Sequence, residues 1–258
     1  MDKRIGAQLM TIRDHLRTIE DFEASCKKLK DMGYKIVQVS GVGLPAREMR
    51  PILDKYDLRT VVTHRRFDDF KNNLDEVIEY NKVLGVDMCG IGCMPDAIIG
   101  NKENLMQFIN DINRFCAELK KEGLQFGYHN HAFEFGKIDG KTMFDIILEE
   151  SDPELFNFIV DVYWLQIGGK NPADVIRKLG ERAKIIHFKD CGMDFDKRNV
   201  PVMREIGSGN LDWDGIIAAC EEAGSEWAMV EQDSDWVNDD PFESLKQSYD
   251  FLKTKGFY

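Results

Sequence analysis

Hydrophobic and polar positions follow one repeating unit along the chain: an amphipathic segment rich in Lys and Glu, a Gly or turn residue, then a short apolar run with β-branched residues. The unit occurs as KKLKDMG before YKIVQVS, as NKVLG before VDMCGIG, as ELKKEG before LQFGYH and as CEEAG before SEWAMVE. Gly after the last helical turn supplies a C-cap, and the apolar runs lack the polar alternation of a strand wetted on one face. The unit therefore predicts helices covering a parallel sheet.

Strands are predicted at 5–11, 35–40, 58–64, 87–92, 124–129, 156–162, 183–189 and 226–232. Helices are predicted near 18–32, 46–56, 68–84, 102–122, 141–150, 172–180, 213–223 and 242–255. Eight strands alternating with eight helices close most naturally into a (β/α)8 barrel of the α/β class. No linker rich in Pro, Gly or Ser divides the chain, so residues 1–258 read as one domain. The longest irregular piece, 190–212, follows the seventh strand and is expected to be a loop on the catalytic face.

Composition narrows the functional classes. A chain of 258 residues with 43% apolar residues can bury a large core. Its net charge of −12, without a dense Lys/Arg run, argues against nucleic acid as a partner. No segment approaches the roughly 20 apolar residues of a membrane span, and MDKRIGAQLM carries no export signal, so a soluble cytoplasmic protein is expected. The six cysteines are dispersed and expected to be reduced thiols; Cys89 and Cys93 read as packing residues rather than a metal pair. A homo-oligomer is compatible with the sequence, which does not fix the oligomeric state.

Barrel chemistry sits at the C-terminal ends of the strands. The polar residues there are Gln8, His64, His129, His131, Asp161, His187 and Glu231, while His15 reads as a solvated loop residue. The run YHNHAFEF adds Glu134, and Glu134, Asp161, His187 and Glu231 are spaced 27, 26 and 44 residues apart, about one βα unit each with the long loop in the last interval. Three carboxylates crowded in a partly dry mouth repel one another unless a cation neutralises them. One divalent metal ion is expected on these four residues, with Mn2+, Mg2+, Co2+ or Zn2+ suited to three oxygens and an imidazole. GSG at 207–209 reads as a plain turn, with a phosphate cradle as the weaker alternative.

The segments IGAQLMTIRD, YHNHAFEF, VDVYWLQIGG, IIHFKD, EIGSGNLDW and MVEQD, in this order and spacing, resemble the xylose isomerase-like TIM barrel superfamily, in particular its sugar phosphate isomerase/epimerase members. The resemblance implies a metal held by Glu134, Asp161, His187 and Glu231. An alternative alignment makes His129, which precedes Asn130, the strand-five ligand, with His129 and His131 as reserve ligands or acid/base groups. It further implies a small-molecule sugar or keto-sugar substrate and proton transfer beside a carbonyl, with Glu134 and Glu231 as base and acid. His64 and Lys189 would hydrogen-bond substrate oxygens, and Trp164 would face the sugar ring. A metal-dependent lyase or dehydratase acting on a keto-sugar, keto-glycoside or inosose is the alternative. Five histidines and the acidic charge argue against the related DNA-repair endonucleases.

Overall fold

The computed structural model describes residues 1–196 and 199–258. Eight parallel strands close into a barrel: β1 (Gly6–Gln8), β2 (Ile36–Val39), β3 (Arg59–Arg65), β4 (Met88–Ile91), β5 (Gln125–His129), β6 (Phe156–Asp161), β7 (Ala183–Phe188) and β8 (Trp227–Val230). Each pairs with its neighbours in sequence, and β8 returns to β1 through Gly6 opposite Met229. The outer layer comprises α1 (Ile19–Met32), α2 (Ala46–Lys55), α3 (Leu74–Leu84), α4 (Lys102–Lys121), α5 (Met143–Glu150), α6 (Pro172–Leu179), α7 (Trp213–Ala223) and α8 (Pro241–Thr254). The predicted (β/α)8 architecture is the one observed.

Local sequence sets the helix ends. Thr18 opens α1 with a capping box to Asp21, and Gly33 closes it at φ 108°, a conformation that favours glycine. Some boundaries differ from expectation. β1 stops at Gln8 because the chain coils immediately into 3-10 turns over Leu9–His15. The helix expected over 68–84 is two, Phe67–Asn72 and α3, broken at Asn73 (φ −141°, ψ 44°).

The barrel interior is layered by the two-residue period of a strand. Ile36, Val62, Met88, Ile159, Ile185 and Met229 form a buried apolar floor. Between them β4 and β5 approach closely: a Cβ on Gly90 would lie 2.1 Å from the Gly127 carbonyl oxygen, so only glycine fits there. Two residues further along, the strands present Gln38, His64, His129, Asp161, His187 and, just past β8, Glu231. A register shift between β2 and β3 at Val37/Gln38 and another between β6 and β7 at Phe158/Ile159 adjust the aim of this upper layer.

Segment 190–212 is more ordered than a loop. Asp190–Asp194 and Val200–Arg204 pair antiparallel; Lys197 and Arg198 lie outside the described residues. Its foot is organised by the buried Asp190 carboxylate, which accepts hydrogen bonds from the backbone amides of Cys191, Gly207, Gly209 and Leu211 and from the Trp213 indole. The amides of Gly207 and Gly209 are thus spent on an internal carboxylate, and GSG is a structural turn. Asp190→Ala strands these buried donors together and is expected to cost about 3–5 kcal/mol in a urea melt. A loss under 1 kcal/mol would show that the turn holds without the carboxylate.

Candidate metal and substrate site

Each member of the upper layer is fixed by its own strand and by a backbone partner. Asp161 ends β6 and N-caps the short helix Val162–Ile167: its Oδ1 accepts from Trp164 N at 3.0 Å, which turns Oδ2 toward the barrel axis. His129 ends β5, and its Nδ1 lies 3.0 Å from the Gly92 carbonyl oxygen. Only a protonated Nδ1 can donate there, so the Nε2 lone pair is left facing Asp161 Oδ2 at 3.4 Å and Glu231 Oε2 at 3.9 Å. His187 is held from the opposite side. Its Nε2 lies 2.8 Å from Gln38 Oε1, which places Nδ1 2.7 Å from Glu231 Oε2.

The ligand atoms offered by His129, Asp161, His187 and Glu231 all lie within 4.8 Å of one another, and all four residues are buried. They fit a divalent cation. His129 Nε2 and Asp161 Oδ2 are buried and make no hydrogen bond, and among the described residues only the Lys189 ammonium, 3.5 Å from Asp161 Oδ2, brings positive charge to them. Two imidazoles and two carboxylates form a donor set typical of first-row metal sites.

The cluster opens into a cavity of about 900 Å³, lined on this side by His64, His129, His131, Trp164, Lys189 and Glu231. His131 stacks on Phe133 with ring centroids 5.3 Å apart and lies 5.4 Å from the Trp164 ring. The Trp164 indole N–H and His131 Nδ1 have no hydrogen-bond partner, so the wall carries unspent polar atoms. Lys189 pairs with Asp233 and stands 3.5 Å from Asp161 and 3.6 Å from Glu231.

Residues 19–255 match the family model for xylose isomerase-like TIM barrels. The chain belongs to that family. It is 23% identical over 171 residues to inosose dehydratase of Clostridium beijerinckii, an alignment covering 61% of this chain and 57% of that relative. The chain thus spans only about half the length of the curated relatives it matches. A sugar phosphate isomerase/epimerase from Parabacteroides distasonis superposes with a TM-score of 0.84 at 22% identity, covering 98% of this chain and 94% of that one. The probable 3-DHS dehydratase of Bacillus anthracis superposes with a TM-score of 0.75 at 13% identity, covering 98% of each. These likenesses establish the fold. Among the described residues no helix is long and apolar enough to cross a membrane.

Within this xylose isomerase-like barrel the strand-five member of the cluster is His129, where Glu134 was expected. Glu134 lies in the 3-10 turn Phe133–Phe135, wholly buried and outside the cavity lining. Its carboxylate accepts from Tyr128 Oη at 2.7 Å and from His131 N at 2.8 Å, so it ties the turn to β5 and stands apart from the four-residue cluster. Burial pushes its carboxyl up to about 7 despite those hydrogen bonds. The structural reason for the exchange is the strand period: His129 points inward two residues beyond Gly127, whereas Glu134 follows only after the chain has left the strand.

The charges balance around Lys189. Burial works to raise the Asp161 and Glu231 carboxyls, but the Lys189 ammonium outweighs it and holds Asp161 below, and Glu231 well below, the usual range. Burial disfavours the His129 cation, yet Asp161 and Glu231 prevail and raise its pKa. His64, buried and beside His129 and His187, is held well below the usual imidazole range and stays neutral. Cys89 is buried in the hydrophobic core, and Cys93 stands exposed at the cavity edge.

Gln38 is the functional residue that the sequence reading missed. Its amide oxygen accepts from His187, while its nitrogen lies 2.9 Å from His64 Nε2 and 3.2 Å from Ser40 Oγ. One amide thereby fixes the tautomers of two site histidines. The available signal was register: Gln38 lies opposite Gln8 on β1 and two residues beyond the inward Ile36.

Proposed function

We propose that this barrel binds one divalent metal ion on His129, Asp161, His187 and Glu231 and catalyses isomerisation or epimerisation of a sugar or sugar-derived ketone. The observation that carries the reading is the convergence of four buried ligand atoms within 4.8 Å, two of them making no hydrogen bond, at the mouth of a cavity. The paired imidazoles shift the expected ion away from Mg2+ toward Mn2+, Co2+ or Zn2+. When bound, the ion supplies Lewis-acid polarisation of the substrate's carbonyl and neighbouring hydroxyl oxygens.

The chain's own residues supply the rest. Glu231, kept ionised by Lys189, takes the proton from the carbon beside the carbonyl. Lys189 holds its ammonium where negative charge grows on the substrate oxygen and hydrogen-bonds that oxygen. His131, across the cavity wall and held neutral by burial, which lowers its pKa to about 3, passes a proton from solvent to the opposite face for epimerisation rather than storing one. The Trp164 N–H and the neutral His64 ring bind hydroxyls, and the indole face packs on the sugar ring. The ligand is a small molecule, in keeping with the cavity size and the acidic surface charge.

Elimination is the second reading, supported by the curated relatives, which are inosose dehydratases. Proton abstraction is shared; the intermediate then expels an oxygen substituent instead of being reprotonated. Incubating metal-supplemented protein with a panel of keto-sugars and inososes in D2O separates the outcomes. An epimer or isomer carrying solvent deuterium supports the first reading, and an unsaturated product supports the second. No exchange and no product across the panel, with metal bound, would refute both.

A further inference from the structure

Lys189 carries a positive charge to the place where the metal reading puts another. Its ammonium stands 3.5 Å from Asp161 Oδ2 and 3.6 Å from Glu231 Oε2, the two oxygens that face His129 Nε2. The side chain is buried, with the Tyr163 and Trp164 rings 5.8 Å and 5.3 Å from its nitrogen, so water screens its charge little. Lysine is a compact point charge on a flexible four-carbon stem. Left between Asp161 and Glu231, it would neutralise them in the ion's stead.

A third carboxylate draws it aside. Asp233 Oδ2 pairs with Lys189 Nζ more closely than either cluster oxygen does, and Asp233 alone of the three carboxylates is partly exposed, on the cavity lining. The chain around Asp233 is fixed without help from Lys189. Gln232 N donates to Thr11 Oγ1 at 3.1 Å, and Arg13 Nη2 donates to the Asp233 carbonyl oxygen at 3.2 Å. The Gln232 side-chain amide closes the following turn by donating to the Ser234 and Asp235 carbonyl oxygens at 3.1 and 3.2 Å. The anchor is therefore rigid and the tethered group mobile. Formal charge agrees: three carboxylates against one ammonium leave two negative charges, the complement of a divalent ion, and without Asp233 one would remain.

We infer that Asp233 is a positioning residue for the metal site: its carboxylate tethers the Lys189 ammonium on the cavity side of the cluster and leaves Asp161 Oδ2 and Glu231 Oε2 open to the ion. The inference rests on the metal reading above and adds the residue that keeps the internal cation from competing with the bound one. Asp233 acts through Lys189, so its contribution depends on Lys189 being present.

Competition with a chromogenic chelator measures Mn2+ affinity without substrate, for wild type, Asp233→Asn, Asp233→Glu, Lys189→Met and the Asp233→Asn/Lys189→Met pair. Asp233→Asn is expected to weaken binding by about 10–100-fold, the range for groups that tune a metal site without touching the ion, while Asp233→Glu, which keeps a carboxylate within reach of Lys189, stays within about 5-fold of wild type. In the Lys189→Met background the Asp233→Asn change is expected to cost no more than about 3-fold, because the ammonium it restrains is gone. Asp233→Asn binding within about 2-fold of wild type, or the same loss in both backgrounds, would overturn the inference and leave the metal reading standing. Should Lys189→Met fail to fold, the two Asp233 variants decide: an equal loss in both overturns the inference, and rescue by glutamate supports it. Wild type that binds no Mn2+, Co2+ or Zn2+ would overturn the metal reading and this inference together.

Discussion

Glu231→Gln is expected to lower turnover and solvent exchange of the substrate proton by roughly 10²–10⁴-fold, the usual contribution of a positioned acid or base. Glutamine keeps the shape and one oxygen facing His187, so the substitution removes the proton-accepting carboxylate more than it removes bulk. Its carboxylate is 2.7 Å from His187 Nδ1 and 3.6 Å from Lys189, both of which favour the charged form that glutamine cannot provide. Some loss of metal affinity accompanies the change and is offset by assaying at saturating Mn2+. Deuterium exchange into substrate is the measurement, because it reports proton abstraction whether the product is an epimer or an alkene. His131→Gln is the comparison: it is expected to suppress product formation while leaving wash-in of deuterium from the Glu231 side. Exchange at the wild-type rate in Glu231→Gln would remove that residue from the reaction.

The second large effect concerns metal binding. His129→Gln is expected to weaken binding by roughly 100-fold or more, since it deletes the Nε2 lone pair that faces Asp161 and Glu231. Gln38→Leu is expected to cost about 10–100-fold, the range for residues that orient a ligand histidine without touching the ion. Glu134→Gln is expected to leave affinity within about 2-fold, because its contacts are internal to the 133–135 turn. The Tyr128 hydroxyl can rotate to accept from the new amide while the amide oxygen still receives His131 N–H, so folding is retained. Competition titration with a chromogenic chelator on the three variants reads all of this without substrate. A large loss in Glu134→Gln with none in His129→Gln would reverse the assignment and reinstate Glu134 as the ligand.

The contrast between Glu134 and His129 shows how far residue spacing reaches. Both lie near the end of the fifth strand, both are residue types that bind metals, and the interval from Glu134 to Asp161 suits one βα unit. Side-chain direction, however, is set by whether the backbone is still in the strand, and the turn Phe133–Phe135 rotates Glu134 away from the axis toward Tyr128. Gln38 presents the complementary case. Inside the run KIVQVS only strand register marks the glutamine, because its importance comes from His187 and His64, 149 and 26 residues distant.

The sequence by itself determined the barrel. The amphipathic period of the helices, the glycine caps and the apolar strand runs are local properties, each readable within a dozen residues, and eight repeats of one unit leave few alternatives to closure. It also determined the rim on which Asp161, His187 and Glu231 would stand, because each ends an apolar run and barrel strands all point the same way. Only the tertiary structure decided which group completes the cluster, which tautomers the histidines adopt, and that Asp190 rather than a ligand engages the 207–209 amides. Those outcomes depend on register between strands and on hydrogen bonds among residues far apart in the chain, and neither is encoded in local hydrophobic pattern.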